Sequence, residues 1–324
     1  MAKEYYINTL QVEEEFTDFF LVKEIAIKTG SNGKNYLDVL FSDKTGEING
    51  KKWDIFGDEE TGLLRMQPGD TAKVKAVVTE WNGTKQLKIQ RIRKGQKEDK
   101  LDMSDFVKAA PEPAEDMYAF ICGKAESIGD EGLRAMALKF LTDEKTRLMY
   151  YPAAMRNHHA EMSGLLWHIK RMLDLGERAC QVYQMLDRDW VICGVILHDM
   201  EKLNEIESNE YGISPGYSME GQLLGHIVQG VRTIDRMAEA VGLDREKAIL
   251  LEHMIVSHHM EPEFGSPKKP MFPEAELLHY LDMVDSKMFD YEDALSGVEP
   301  GEFSEKVRTL DGRKLYKPTF RKNE

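Results

Sequence analysis

Three polar residues follow directly after a strongly apolar run of the sequence. Residues 191–197 are apolar apart from a glycine and lead into His198 and Asp199, with Lys202 three positions further on. A core helix that simply reaches solvent would give the same pattern. Imidazole and carboxylate groups are also ligands for divalent cations, and a lysine on the same side of the helix could hold an anionic substrate. The remaining histidines bear on the choice between these interpretations.

All nine histidines lie between residues 158 and 279, in the half of the sequence with helical apolar periodicity. A single histidine on such a helix is usually a hydrogen-bonded core residue. Side chains from several helices can, however, converge in the core of a bundle. The candidates are His168, His198, Asp199, His226, His258, His259 and Asp282. This set suits a borderline cation such as Mn, Fe, Co or Zn, which would also offset the cost of burying two aspartates.

The elements that must position these residues begin only after a β-rich segment. Residues 1–95 predict five strands with Gly, Asn and Asp turns between them, at 16–28, 36–41, 47–56, 71–81 and 84–94. With a connecting segment at 57–67, they predict an all-β OB-fold barrel. Residues 96–155 predict a charged connector and helical lead-in, and residues 156–324 an all-α helical bundle. The predicted fold is therefore multidomain, with a β barrel followed by a helical domain.

Charge is unevenly distributed along the sequence. Residues 1–100 carry 17 Lys and Arg against 17 Asp and Glu, whereas the remainder carries 26 against 40, and the net charge is −14. An acidic half disfavours nonspecific nucleic-acid binding. Residues 71–97 are a basic exception, with eight Lys and Arg and only Glu80 as an acid. A nucleic-acid partner would therefore be expected on the barrel.

The composition also bears on the compartment. No segment approaches the length of a membrane span, so no membrane partner is expected. Three cysteines without CxxC spacing argue against a disulfide framework, which makes a reducing cytoplasm the expected location.

Five short segments carry a family resemblance. They are GLLWHIKRM (164–172), LHDMEK (197–202), GHI (225–227), SHHMEPEFGSP (257–267) and LLHYLDMVDSKM (277–288). Together they resemble the HD-domain metal-dependent phosphohydrolases, and among these the YhaM-type 3′→5′ exoribonucleases, which join an N-terminal OB fold to an HD domain. The resemblance covers nearly the whole sequence.

The resemblance implies roles for the candidate ligands. His168, His198, Asp199 and Asp282 would bind a first divalent metal ion, and His226 and His258 with His259 a second, with Mn expected ahead of Co, Fe or Zn. Asp285 is the reserve choice for the terminal ligand, and it and His279 could instead donate or accept hydrogen bonds near Asp282. His253 is expected to face elsewhere. Two departures from the family pattern, Glu201 in place of Gly and Trp167 in place of an acid, leave the metal open.

The implied activity is 3′→5′ exonucleolytic hydrolysis of single-stranded RNA, and of single-stranded DNA as a further candidate, to nucleoside 5′-monophosphates by a metal-activated hydroxide. Asp199 would orient the hydroxide and Lys202 would hold a nonbridging phosphate oxygen. One alternative is a nucleotide or cyclic-dinucleotide phosphohydrolase, whose cyclic version is disfavoured because no Gly-Tyr-Pro follows the histidine pair. Another is a noncatalytic single-strand-binding regulatory protein.

Substrate-binding candidates lie on the barrel and at the entrance to the helical domain. They are Lys51, Lys52, Trp53, Lys73, Lys75, His158 and His159. The competing interpretation is that the aromatic side chains form barrel core and that the lysines form a solvated face. Helical residues in 101–155 could pack within the chain or between subunits, so a homo-oligomer remains open.

Overall fold

The computed structural model describes residues 3–30, 33–53, 55, 66–81, 83–155, 161–209 and 211–320. The chain divides into two compact units. The first comprises Met1–Ala109 and Ile213–Pro215, and the second comprises Ala110–Gly212 and Gly216–Glu324. Of the predicted connector and helical lead-in, 96–155, residues 96–109 group with the first unit and residues 110–155 with the second.

The first unit contains a closed five-stranded barrel. Its strands are β1 (Glu15–Thr29), β2 (Asn35–Asp43), β3 (Gly46–Trp53), β4 (Thr71–Trp81) and β5 (Thr84–Lys94). They close in the order β1-β2-β3-β5-β4, with a parallel β3–β5 pair and antiparallel pairs elsewhere. This arrangement confirms the predicted OB-fold barrel. Most of the predicted connecting segment 57–67 lies outside the described residues.

The barrel core follows from strand alternation. In β4, Ala72, Val74, Ala76 and Val78 are fully buried, and the residues between them are partly exposed. On β3, a Cβ atom at Gly50 would lie 2.8 Å from the Phe41 ring. Only glycine therefore lets β3 pack this closely on the core, while its alternate residues face outward.

The second unit is mainly helical, as predicted. Its helices are α1 (Ala114–Glu126), α2 (Glu131–Asp143), α3 (Lys145–Leu148), α4 (Gly164–Val182), α5 (Arg188–Leu197), α6 (Lys202–Glu205), α7 (Met219–Val241), α8 (Arg245–Ser257) and α9 (Pro273–Ser296). Every residue of α5 from 191 to 197 is buried. A helix that is apolar on all sides belongs at the centre of a bundle, and its carboxyl end therefore opens into the interior.

Two short hairpins accompany this helical bundle. Strand β6 (Ile206–Glu207) pairs with β7 (Gly216–Tyr217), and β8 (Phe303–Val307) pairs with β9 (Arg313–Tyr316). Neither was predicted. The β8–β9 connection ends in Asp311 and Gly312, both with positive φ, at 58° and 68°. Asp-Gly is a hairpin turn signal, which the helical composition of the domain had masked.

Within the described part of the chain, no helix is long and apolar enough to cross a membrane.

Candidate metal centre

Helix α5 brings the first two candidate ligands to the centre of the second unit. His198 follows its last residue, and its Nδ1 lies 2.8 Å from the Val195 carbonyl oxygen one turn earlier. Asp199 comes next and is 6% exposed. Because the helix is buried along its length, both side chains enter the interior rather than solvent.

Three of the candidate residues form a first triad. The ligand atoms of His168, His198 and Asp282 all lie within 4.8 Å of one another. His168 Nε2 is 3.3 Å from His198 Nε2 and 3.5 Å from Asp282 Oδ1. The triad joins the second turn of α4, the end of α5 and the middle of α9.

Three further histidines form a second triad. The ligand atoms of His226, His258 and His259 also lie within 4.8 Å of one another. His258 and His259 follow the last residue of α8, whereas His226 lies after an interruption in α7. The interruption is Gly225, whose φ of 69° and ψ of 164° are strongly disfavoured for other residues.

Asp199 lies between the two triads. Its Oδ2 is 3.4 Å from His198 Nε2 in the first triad. Its Oδ1 is 3.4 Å from His226 Nε2 and 3.8 Å from His258 Nε2 in the second. One carboxylate thus presents an oxygen to each group of ligands.

The five imidazoles of the triads share one orientation. In each ring Nδ1 faces an oxygen acceptor, at 2.7 to 3.0 Å: Asp285 for His168, the Val195 carbonyl for His198, Glu205 for His226, the Ile255 carbonyl for His258 and the Phe264 carbonyl for His259. Nδ1–H therefore donates to that oxygen, so that Nε2 carries the lone pair whenever the ring is neutral. This is the arrangement in which a neutral histidine binds metal through Nε2.

Three buried polar atoms at the centre are left without hydrogen bonds by the described residues. They are Asp199 Oδ1, His226 Nε2 and His258 Nε2. The first two are only 3.4 Å apart, yet their geometry makes no hydrogen bond between them. Unpaired buried polar atoms are costly, and a cation between them would remove that cost. The donor set therefore fits divalent metal ions.

The electrostatics of the centre favour the protonation states that metal binding requires at His258, His259 and Asp199, but not at His198. Burial, together with His259, holds the pKa of His258 well below its usual range, and burial lowers that of His259. Burial favours neutral Asp199, but His198 and Lys202 hold its pKa well below the ordinary value. Burial likewise opposes charge on His198, yet Asp199 raises its pKa to about 8. Ionised carboxylate and neutral imidazoles are the forms that ligate, so His198 would have to release a proton when a metal ion binds at neutral pH.

Lys202 has a neighbour that the sequence did not indicate. Its Nζ lies 3.2 Å from Glu205 Oε2, and the other Glu205 oxygen accepts from the His226 ring and backbone N–H at 3.0 and 3.1 Å. Burial favours neutral Glu205, but His226 and Lys202 lower its pKa to about 2. Burial opposes charge on Lys202 too, and Asp199 and Glu205 raise its pKa overall. Both groups are charged at neutral pH.

The remaining acids and histidines near the centre have supporting positions. Asp285 accepts from His168 Nδ1 and pairs with Arg171 Nε at 2.6 Å. It therefore lies on the Nδ1 side of the His168 ring, whereas Asp282 lies on the Nε2 side. His279 Nδ1 lies 2.7 Å from the His258 carbonyl oxygen. His253 accepts from the Met271 N–H and lies outside both triads.

The two departures from the family pattern are also placed. Glu201 is buried and accepts from Asn204 Nδ2 at 2.7 Å, with an ordinary φ of −83°. Trp167 is partly buried and lies below Lys170 and Arg171, at 5.2 and 5.6 Å from its ring centroid. His158 and His159 lie outside the described residues.

The barrel carries an aromatic pair on its outer surface. Tyr36 on β2 and Trp53 on β3 are directly opposite in register and stack, with ring centroids 4.5 Å apart and planes at 26°. Trp53 is 45% exposed. Lys51 Nζ lies 5.8 Å from the Tyr36 ring centroid, and Lys51 is opposite exposed Lys88 on β5. These four residues are called the barrel platform below.

The other predicted barrel lysines differ in position. Lys52 is 7% exposed, because strand alternation turns it to the inward face with Gly50 while Lys51 and Trp53 face outward. It is therefore not available at the surface as expected. Lys73 lies over the Phe19 ring at 5.2 Å, and Lys75 pairs with Glu15 at 2.9 Å.

Comparisons with known proteins agree with this architecture. The sequence model of the family described as HD domain matches residues 165–287. The chain is 38% identical to "3′-5′ exoribonuclease YhaM" of Geobacillus sp. (strain WCH70) over 96% of this chain and 94% of that protein. It is 36% identical to the Bacillus subtilis (strain 168) protein of the same name, over 99% and 100% of the two chains.

Among solved structures, the second OB-fold domain of replication protein A from Methanococcus maripaludis is 21% identical. The matched region covers 28% of this chain and 92% of that domain, with a TM-score of 0.23.

Proposed function

Because the chain belongs to the YhaM family of 3′-5′ exoribonucleases, we propose that it shortens single-stranded RNA from the 3′ end, releasing nucleoside 5′-monophosphates, at the centre formed by the two triads. The observation that carries the proposal is the position of Asp199, with one oxygen near each triad. Single-stranded DNA is a second candidate substrate for the same centre.

The centre would hold two divalent cations per chain, and Mn²⁺ is the first candidate for a set of imidazoles and carboxylates. His168, His198 and Asp282 would surround one ion and His226, His258 and His259 the other, with Asp199 shared. Bound ions would supply an activated water at neutral pH and compensate charge on the phosphate oxygens.

The protein's own groups would orient the reaction. Asp199 accepts hydrogen bonds and can align a water for attack in line with the scissile bond. Lys202 carries three N–H donors, of which the contact with Glu205 uses one, so the others can hold a nonbridging phosphate oxygen. Glu205 would keep the Lys202 ammonium in place.

The barrel would bind the RNA upstream of its 3′ end. The rings of Tyr36 and Trp53 offer stacking surfaces for bases, and Lys51 and Lys88 offer charge for phosphates. Such a surface tolerates any sequence, because every base has a flat face. This suits an enzyme that removes successive nucleotides.

The proposal is tested by incubating metal-stripped protein with Mn²⁺ and single-stranded RNA or DNA labelled at the 5′ end. We expect a ladder of products shortened one nucleotide at a time, and mononucleotides as the released product. Internal cleavage, or retardation of the strand without any shortening, would refute it. Hydrolysis of free nucleotides or cyclic dinucleotides, without shortening of the RNA or DNA, would favour the phosphohydrolase alternative.

The Asp199→Asn variant tests the shared carboxylate. We expect activity to fall by more than the about 10–100-fold that is typical when a group supporting a ligand is removed, since Asp199 would contact both ions directly. Bound Mn²⁺ per chain should fall in parallel, as measured by elemental analysis. The exposed Asp174→Asn on α4 is the matched control and should retain both. Unchanged hydrolysis in Asp199→Asn would exclude the shared role.

A further inference from the structure

The β8–β9 hairpin is an ordered element at the end of the second unit. Leu310 and Leu315 are buried at 1% and 6% exposure. Lys317 Nζ donates to the Leu295 carbonyl at 3.1 Å, and Arg313 Nη1 donates to the Tyr291 hydroxyl at 3.4 Å. The hairpin is therefore fixed to the last turns of α9 by its inward side, which leaves its other side to solvent.

The solvent side carries an aromatic pair. Phe303 and Tyr316 are opposite in register, with ring centroids 5.1 Å apart. They are 63% and 47% exposed. The two rings are tilted by 48° to each other, so each offers its own face on which a base can stack.

The same hairpin places two lysines opposite each other. Lys306 and Lys314 are paired in register and both are exposed. Like charges directly opposite across two strands are destabilising, and neither lysine has an ion pair with an acid in the part of the chain that the structure describes. A polyanion would relieve this repulsion.

The charge of the hairpin is also opposite to that of the helical half of the sequence. Residues 303–317 carry five Lys and Arg against two Asp and Glu, whereas residues 101–324 as a whole carry 26 against 40. The phosphate backbone of a nucleic acid would therefore be attracted to the hairpin and repelled by the acidic remainder of this part of the chain.

Helix α9 fixes the distance from the hairpin to the candidate metal centre. It carries Asp282 in its middle and contacts the hairpin at Tyr291 and Leu295, nine and thirteen residues later. At 1.5 Å per residue these contacts lie about 14 and about 20 Å along the helix from Asp282. A strand with its 3′ end at the centre could reach the hairpin through nucleotides upstream of the scissile bond.

We propose that the β8–β9 hairpin is a second binding site for single-stranded RNA, in addition to the barrel platform. Phe303 and Tyr316 stack on bases, and Lys306 and Lys314 hold the adjacent phosphates. The inference rests on the proposed function for the identity of its ligand. It adds a binding element on the catalytic unit itself.

The test compares two substrates in the full chain with Mn²⁺. One is an RNA of about 20 nucleotides, longer than the about 16-nucleotide upper site size of an OB fold, and the other is a dinucleotide. We expect Phe303→Ala/Tyr316→Ala and Lys306→Glu/Lys314→Glu each to raise KM for the long RNA by about 10-fold, because the first removes the stacking faces and the second reverses the charge that holds the phosphates. Hydrolysis of the dinucleotide should be unchanged, because it is too short to reach the hairpin.

Two controls make the same kinds of change as single substitutions, at exposed positions of α4 and its end. Tyr183→Ala removes a tyrosine that is 58% exposed, and Arg178→Glu reverses an exposed positive charge. Both should leave KM for the long RNA unchanged. Wild-type KM in the hairpin variants would overturn the inference, as would an equal loss with the dinucleotide.

Sedimentation of the same variants separates RNA binding from self-association. The inference expects the same oligomeric state in wild type and variants. A change of state that accompanies the rise in KM would make the hairpin a contact with a second copy of the chain and would overturn the inference. Failure of the wild type to hydrolyse either RNA would refute the proposed function instead. In that case the affinity of the hairpin variants and of wild type for the long RNA would be compared by anisotropy in EDTA. Equal affinities would overturn the inference.

Discussion

Glu205 holds two groups that the proposed reaction uses. One oxygen accepts from both N–H groups of His226, and the other pairs with Lys202. The carboxylate therefore fixes the Nδ1–H form of a candidate ligand and also the position of the cation proposed to contact the phosphate. Neither function needs Glu205 to touch metal or substrate, so it is a positioning residue.

Glu205→Gln tests this position. The amide keeps an acceptor for His226 but loses the charge, and we expect the apparent affinity for metal to fall by about 10–100-fold. The measurement is the Mn²⁺ concentration that gives half-maximal hydrolysis. Saturating Mn²⁺ should restore most of the activity. Glu207→Gln, exposed on the neighbouring strand, should behave as wild type, and an unaltered Mn²⁺ requirement in Glu205→Gln would contradict the assignment.

The sequence identified the triad residues but not Glu205, for a physical reason. Histidines on apolar helices stand out because imidazole is costly to bury without partners, and a bundle core brings such helices together. Glu205 lies on a four-residue helix with no periodicity of its own. Its contact with His226 depends on the backbone at Gly225, and periodicity alone does not show such a kink.

At the scale of elements, the interruption of α7 sets the position of the candidate ligand His226, which a straight helix would turn elsewhere. Gly225 adopts φ 69° and ψ 164°, after which the helix resumes with His226. A Cβ atom there would lie 3.7 Å from Glu205 Oε1, which is an ordinary contact. The need for glycine is therefore one of backbone conformation and not of space.

Gly225→Ala should strain this kink by about 1–3 kcal/mol and displace His226 from Glu205. We expect a lower melting temperature together with a higher Mn²⁺ requirement. Gly242→Ala is the matched control, because Gly242 ends the same helix with φ 70° and has open space around its Cβ position. It should lower the melting temperature alone. An equal Mn²⁺ requirement in both variants would show that the kink does not position the ligand.

The two hairpins illustrate what helical periodicity conceals. Long amphipathic helices and the alternating barrel strands were predictable, since each repeats its pattern over many residues. The β8–β9 hairpin spans only Phe303–Tyr316, and its short strands carry no sustained alternation. Its single local signal was Asp311-Gly312, which a search for helices passes over.

At the scale of the whole molecule, a chain of net charge −14 can attract a polyanion only at surfaces that are locally positive. The barrel platform is one such surface, with Lys51 and Lys88 side by side across the parallel β3–β5 pair. Binding of this kind depends on salt, because each phosphate that the protein neutralises releases counterions.

Lys51→Gln/Lys88→Gln should therefore change the salt dependence of RNA binding as well as its strength. For single strands the slope of log K against log salt concentration falls by about 0.7 for each phosphate that the protein no longer neutralises. We expect the slope to decrease by about 1.4 for the double variant, measured by anisotropy in EDTA. Arg178→Gln/Arg236→Gln removes the same charge from exposed helix positions and should leave the slope unchanged. Equal slopes for both variants would exclude the barrel platform from phosphate binding.

Helix α9 also bears on the length of the final products. It carries Asp282 and the hairpin contacts on one rigid rod, so the interval between bond cleavage and the hairpin stays constant as digestion proceeds. An RNA trimmed below that interval no longer reaches the hairpin and dissociates more readily. Digestion should then slow abruptly at one short length, leaving a narrow set of residual oligonucleotides whose size is determined by the helix and not by their sequence.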